Sequence, residues 1–184
     1  MRNVLLLLCV LLPLAGQART VEDVTLPESL QVNGTALQLN GAGVRSKYFV
    51  DVYVAALYLP ALQQDARRIV QADEPQSVRL TIISTRITRD RLLESIEDGI
   101  RQSAGADFPR YKPMLQELWD ALTFEVKIGD QFDFTWVPGK GTEFYRNGEL
   151  LRVLPQFEFK QVLFGIWLGD DPVQDSLKTA LLTQ

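Results

Sequence analysis

The stretch Asn40-Gly-Ala-Gly-Val-Arg-Ser-Lys-Tyr-Phe-Val-Asp-Val-Tyr-Val-Ala-Ala-Leu-Tyr-Leu59 decides the reading of this chain. Gly41 and Gly43, one residue apart, predict a turn, and Arg45 stands at its exit. Phe49 to Leu59 then predicts a central strand, β-branched and aromatic, with apolar residues on both alternating faces. An arginine leading into a strand covered on both faces needs an anionic partner or a route to water. Two readings stay open. The guanidinium suits a hydrophobic ligand that carries a carboxylate or enolate, or it pairs with a residue such as Asp51 and closes the turn.

Outward from this stretch the pattern alternates between strand and helix signals. Leu30 to Leu39 alternates around Asn33-Gly34, a hairpin signature, and the turn reading is sufficient for Asn33-Gly-Thr35, which also fits a glycosylation acceptor. Ala61 to Ala72 predicts a helix, and Ser77 to Thr85 a strand with Val78, Leu80 and Ile82 on one face. Thr88 predicts an N-cap for a helix to about Ser103, with Leu92, Leu93, Ile96 and Ile100 as its apolar stripe. Pro109 to Leu122 predicts another helix. Strands are expected over Thr123–Lys127, Gln131–Val137, Gly141–Tyr145 and Leu150–Leu154, the last two joined through Asn147-Gly148. Phe157 to Leu168 predicts a helix ending at Gly169. Asp171-Pro-Val-Gln174 then predicts a new helix start, with Asp171 as N-cap and Gln174 closing a capping box. Strands, helices, strands, helices: the order gives an α+β domain, an antiparallel sheet with its helices gathered on one face.

The first residues stand apart from that domain. Met1-Arg-Asn is a short positive start, Val4 to Leu14 is apolar, and Gly16-Gln-Ala18 offers small residues for cleavage. Residues 1–18 therefore read as a signal peptide and 19–184 as one domain, placed in the periplasm or outside the cell. The apolar run is shorter than the roughly 20 residues a membrane-spanning helix needs, so no stable membrane insertion is expected after cleavage.

Cleavage would remove the only cysteine, Cys9, from a chain that has no histidine at all. Such a chain has no thiolate nucleophile, no Ser-His-Asp triad, no disulfide framework and no zinc site of the usual His/Cys type. Neither a metal site nor a cofactor is expected. With Arg2 gone the 19 basic residues fall to 18, against 23 acidic ones. That balance, with no basic tract, disfavours nucleic acid. Pro138-Gly-Lys-Gly-Thr142 lacks the order of a phosphate-binding loop and reads as a turn.

Gly41-Ala-Gly-Val-Arg45, the strand Tyr53–Leu59, and Phe159-Lys-Gln-Val-Leu-Phe-Gly-Ile-Trp-Leu-Gly-Asp-Asp-Pro-Val173 followed by Ser176-Leu-Lys178 resemble bacterial proteins of the chalcone isomerase-like family. The resemblance runs in order along almost the whole mature chain. It implies an open-faced sandwich, a long antiparallel sheet beneath a helical layer, with a ligand cleft between them. The family contains true isomerases, non-catalytic relatives and members that bind fatty acids.

By that resemblance Arg45 falls on the arginine that stabilises the reacting oxyanion in the isomerases. Tyr53 falls where they carry a strand threonine, and Arg91 is the nearest position to their catalytic tyrosine. Arg45 with Tyr53 matches the pair that the lipid-binding branch uses for a fatty-acid carboxylate. The expectation is a carrier of a fatty acid or similar amphiphilic carboxylate, with Arg45, Tyr53, Arg86 and Arg91 as ligand-binding candidates. The alternative is an intramolecular lyase acting on a chalcone-like or enone substrate, with Arg45 as its oxyanion stabiliser. A packing role for Tyr53 and a solvated helix start for Arg86 and Arg91 stay open beside these.

Overall fold

A computed structural model of the chain describes residues 18–183. The signal-peptide segment, apart from Ala18, lies outside the described residues. A hairpin of β1 (Ala18–Val21) and β2 (Val24–Pro27) precedes a seven-stranded antiparallel sheet. Its strands follow one another in chain order: β3 (Ser29–Val32), β4 (Thr35–Lys47), β5 (Val50–Leu59), β6 (Gln76–Ile82), β7 (Gln131–Val137), β8 (Gly141–Arg146) and β9 (Glu149–Leu154). Helix α1 (Ala66–Gln71) links β5 to β6, while α2 (Arg89–Ala104) and α3 (Lys112–Ala121) link β6 to β7. Helices α4 (Phe157–Leu168) and α5 (Asp175–Leu182) follow β9.

Period-two alternation sorts the side chains between two cores. Tyr53, Ala55, Leu57 and Leu59 of β5 join Val78, Leu80 and Ile82 of β6, Phe132 and Phe134 of β7, and Phe144 of β8 under the helices. The Phe134 ring stacks on Phe144 at 4.9 Å and meets Trp167 of α4 at 5.9 Å. Thr88 caps α2, and Leu92, Leu93, Ile96 and Ile100 all turn inward as their spacing requires. On the opposite face Val54, Ala56 and Tyr58 pack with Leu37 and Leu39 beneath Leu26 of the N-terminal hairpin. The Tyr58 hydroxyl closes that layer by donating to the Pro27 carbonyl at 3.0 Å. Beyond β5 this face turns polar, with the buried pair Ser77–Thr135 (2.8 Å) bridging β6 and β7.

Several boundaries differ from the sequence reading. Gly41 and Gly43 form no turn; they lie inside β4, which continues to Lys47. Their missing side chains let α5 approach the strand: a Cβ on Gly43 would stand 2.6 Å from that of Ala180, and one on Gly41 would collide with the Ala180 carbonyl. Beyond Gln38 the outer edge of β4 has no strand partner, and α5 covers it. The turn falls instead at Tyr48-Phe49.

Helix α1 is shorter than expected because Asp65 caps it, while the preceding loop is held by Asn40, whose side chain accepts from Gln63 N and donates to the Gln63 and Leu181 carbonyls. At its other end Lys160 of α4 donates to the carbonyls of Ile69, Val70 and Ala72. Burial lowers the pKa of that ammonium to about 7, partly countered by Asp73 and Glu74. Thr123–Lys127 is irregular rather than a strand, and Gly105–Tyr111 winds as a 3-10 helix ahead of α3. Asp171 caps nothing: α5 starts at Asp175, which releases Gln174 for another task.

Candidate functional site

A β-bulge builds the site. Arg45 pairs with Tyr53 across β4 and β5, but the next rung joins Ser46 to Asp51, leaving Val52 as the extra residue. Val52 and Tyr53, adjacent in sequence, therefore both belong to the core under the helices. Directly cross-strand, Arg45 and Tyr53 project to the same face with Cβ atoms about 4.5–5.5 Å apart. Above them α2 and α4 leave a cavity of about 210 Å³, lined by Arg45, Tyr53, Leu80, Ile87, Leu92, Ile96, Ile166, Trp167 and Val173. Ser95, Asp98 and Gln102 of α2 rim it. A second cavity of about 320 Å³ shares its wall at Lys47, Val52, Ile87, Ser95 and Asp98 and extends toward the β4–β5 turn.

The two residues singled out in the sequence meet here, and their hydrogen bonds define what the site can hold. Arg45 Nη1 donates to the Ser46 carbonyl at 2.6 Å and to Gln174 Oε1 at 3.0 Å. Among the described residues no carboxylate lies within ion-pair distance of Arg45; Asp51 instead accepts from Ser46 Oγ at 2.6 Å. The half-buried guanidinium meets neutral acceptors and no carboxylate, and it also stands close enough to the Tyr53 hydroxyl to act on it by charge and hydrogen bond. The Tyr53 hydroxyl accepts from Trp167 Nε1 at 3.1 Å, which leaves its own proton to donate. Burial raises the Tyr53 pKa, while the Trp167 hydrogen bond and the Arg45 charge lower it less, so the hydroxyl stays protonated at neutral pH. An arginine and a phenol, both donors, at one end of an apolar cavity make a receptor for an anionic oxygen.

Arg86 and Arg91 are not at this point. Both are exposed and line the outer cavity, where Arg91 Nη1 donates to the Arg86 carbonyl at 2.9 Å. Their position is consistent with the helix-start reading and also puts two cations at the cleft mouth. Sequence reasoning missed Gln174 and Trp167 as parts of the site. Gln174 Oε1 also accepts from Ser46 N at 2.9 Å, and its Nε2 donates to the Val44 carbonyl at 3.2 Å, so one amide serves the unpaired edge of β4 and seats Arg45. No sequence signal marks a partner 129 positions away. Among the described residues no cluster of three or more His, Cys, Asp or Glu side chains forms, and no helix is long and apolar enough to cross a membrane.

A curled antiparallel sheet under a helical layer, with Arg45 lining the cavity between them, defines an α+β open-faced sandwich. The chain belongs to the chalcone isomerase-like family, whose model matches residues 18–183. Among solved structures it is similar to the fatty-acid binding protein AtFAP1 of Arabidopsis thaliana. The TM-score is 0.71 at 16% identity, over 90% of this chain and 96% of that one. That likeness confirms the fold. No curated protein matches in sequence.

Proposed function

We propose that this protein binds a fatty acid or a similar amphiphilic carboxylate in the cleft between sheet and helices, and does so in the periplasm or outside the cell. The observation that carries the reading is the uncompensated Arg45 guanidinium beside the Tyr53 hydroxyl, at the end of an apolar cavity. The head group sits between these donors, and the tail runs along Leu80, Ile87, Leu92 and Ile96 toward the outer cavity. The deeper cavity, about 210 Å³, is below the roughly 300–1,000 Å³ usual for ligand pockets, so a long tail needs both. The fatty-acid binding of the structural relative AtFAP1 supports this ligand class. Location rests on the signal-peptide pattern of Met1 to Ala18.

The isomerase alternative has less to stand on. The hydroxyl beside Arg45 is pinned by Trp167, and the position nearest the isomerases' helix tyrosine is Arg91, exposed at the outer mouth. Each buried methylene gains about 0.8 kcal/mol, so the tail dominates affinity. The charged hydrogen bond adds roughly 1.5–3 kcal/mol and selects acids. Native mass spectrometry of residues 19–184, purified without detergent, is expected to show an added fatty-acid mass that Arg45→Ala loses. In a fluorescent fatty-acid titration the same substitution is expected to raise Kd by about ten- to a hundredfold. Equal affinity of wild type and Arg45→Ala would remove Arg45 from the reading, and no binding by either would end it.

A further inference from the structure

Among the described residues four hairpins turn through two residues with positive φ at both, the geometry that matches strand twist and suits Asn-Gly. Three use polar or glycine residues: Glu22-Asp23, Asn33-Gly34 and Asn147-Gly148. The fourth, between β4 and β5, uses Tyr48 (φ 51°) and Phe49 (φ 64°). Bulky aromatics rarely accept this conformation, and here burial does not offset the strain, because Tyr48 is 86% and Phe49 106% exposed; Lys47 Nζ stands 5.9 Å from the Tyr48 ring. A turn that is both strained and greasy has its compensation outside the chain.

We propose that the Tyr48-Phe49 tip is a membrane-surface anchor, inserting into the interface of an anionic lipid bilayer and presenting the cleft mouth to it. Tyr48 itself lines the outer cavity, so a docked tip opens that cavity onto the lipid. Lys47, Arg86 and Arg91 line the same cavity against Glu94 and Asp98, a local positive excess on a chain of net charge −4. The antiparallel order brings two further exposed apolar residues, Ile128 and Leu150, to the same end of the sheet. An interfacial anchor needs only a few apolar and aromatic side chains flanked by cations. A stable protein interface needs about 800 Å² from each partner, more than a two-residue tip provides. The inference goes beyond the cavity reading and does not require the bound molecule to be a fatty acid.

Flotation of residues 19–184 with vesicles of phosphatidylethanolamine and phosphatidylglycerol, beside vesicles of phosphatidylcholine alone, tests it. The protein is expected to float with the anionic vesicles, less with the neutral ones, and less again in high salt. The double variant Tyr48→Asn, Phe49→Gly fits the turn, so its Tm is expected to rise while its partition falls on the order of tenfold for each ring removed. Arg45→Ala is expected to float as the wild type does, which separates failure of the anchor from failure of the cavity reading. A wild type that stays in solution, or a double variant that floats equally well, overturns the proposal. So does a dimer in sedimentation without lipid that the double variant abolishes, since the tip would then be covered by a second copy.

Discussion

Arg45 and Arg79 stand on opposite faces of one sheet and have opposite partners. Arg79 grips Asp133 with two parallel hydrogen bonds, Nε to Oδ1 at 2.7 Å and Nη2 to Oδ2 at 2.9 Å. Its guanidinium carbon lies 6.0 Å from the Tyr58 ring. Burial works against its charge, and Asp133 more than offsets that, raising its pKa. Arg45 has neutral acceptors, a backbone carbonyl and an amide oxygen among them, which orient a guanidinium without neutralising it. An arginine closed by its own carboxylate holds the fold. One aimed into an apolar cavity without such a partner is available to a carboxylate from outside.

The largest expected effect tests the closed arginine. Asp133→Ala leaves Arg79 charged and nearly enclosed, since the two side chains are only 15% and 12% exposed, and breaking such a pair costs about 3–5 kcal/mol. Urea denaturation should show that loss, against a much smaller one for Arg45→Ala. If Asp133→Ala costs under about 1 kcal/mol, Arg79 is solvated like a surface arginine and the contrast between the two faces dissolves.

A sharper test converts one arginine into the other. Gln174→Glu sets a carboxylate where Arg45 now meets an amide oxygen, 3.0 Å away, and makes Arg45 resemble Arg79. The guanidinium is retained and its charge is spent. Affinity for a fatty acid should fall nearly as far as in Arg45→Ala, by a share of the roughly 1.5–3 kcal/mol a charged hydrogen bond supplies. Calorimetric titration of the variant decides the matter: unchanged affinity means that the presence of Arg45, rather than its uncompensated charge, is what the ligand needs. Part of the outcome will appear in stability, because a carboxylate cannot donate to the Val44 carbonyl as Gln174 Nε2 does.

The two arginines also mark what the sequence could reveal. Local signals carried most of the fold: the apolar run of Val50–Leu59, Thr88 as a cap, Asn147-Gly148 as a turn, and the apolar stripe of α2. Arg45 stood out because a charge beside an apolar strand is locally improbable. Gly41 and Gly43 misled, since glycine permits a turn and a close helix contact equally, and only the distant Ala180 distinguishes them. The contact of Gln174 with Arg45 was invisible for the same reason, as was the hairpin at residues 18–27 that packs Leu26 against the far face. Whether Arg45 was closed by Asp51 depended on a bulge that moves Asp51 to Ser46, and a single added residue leaves no trace in composition.

The smallest expected effect concerns the second donor. Tyr53→Phe keeps the ring in the core but removes the acceptor of Trp167 Nε1 and the phenol proton beside Arg45. If that proton helps hold the ligand oxygen, affinity falls by about 0.5–1.5 kcal/mol, the worth of a neutral hydrogen bond, and stability by a similar amount. Paired with Arg45→Ala in a double-mutant cycle, the two changes should couple, because both donors serve one anionic oxygen. Additive losses in the fatty-acid titration would mean that Tyr53 only braces Trp167. The charge on Arg45 would then recognise the head group alone.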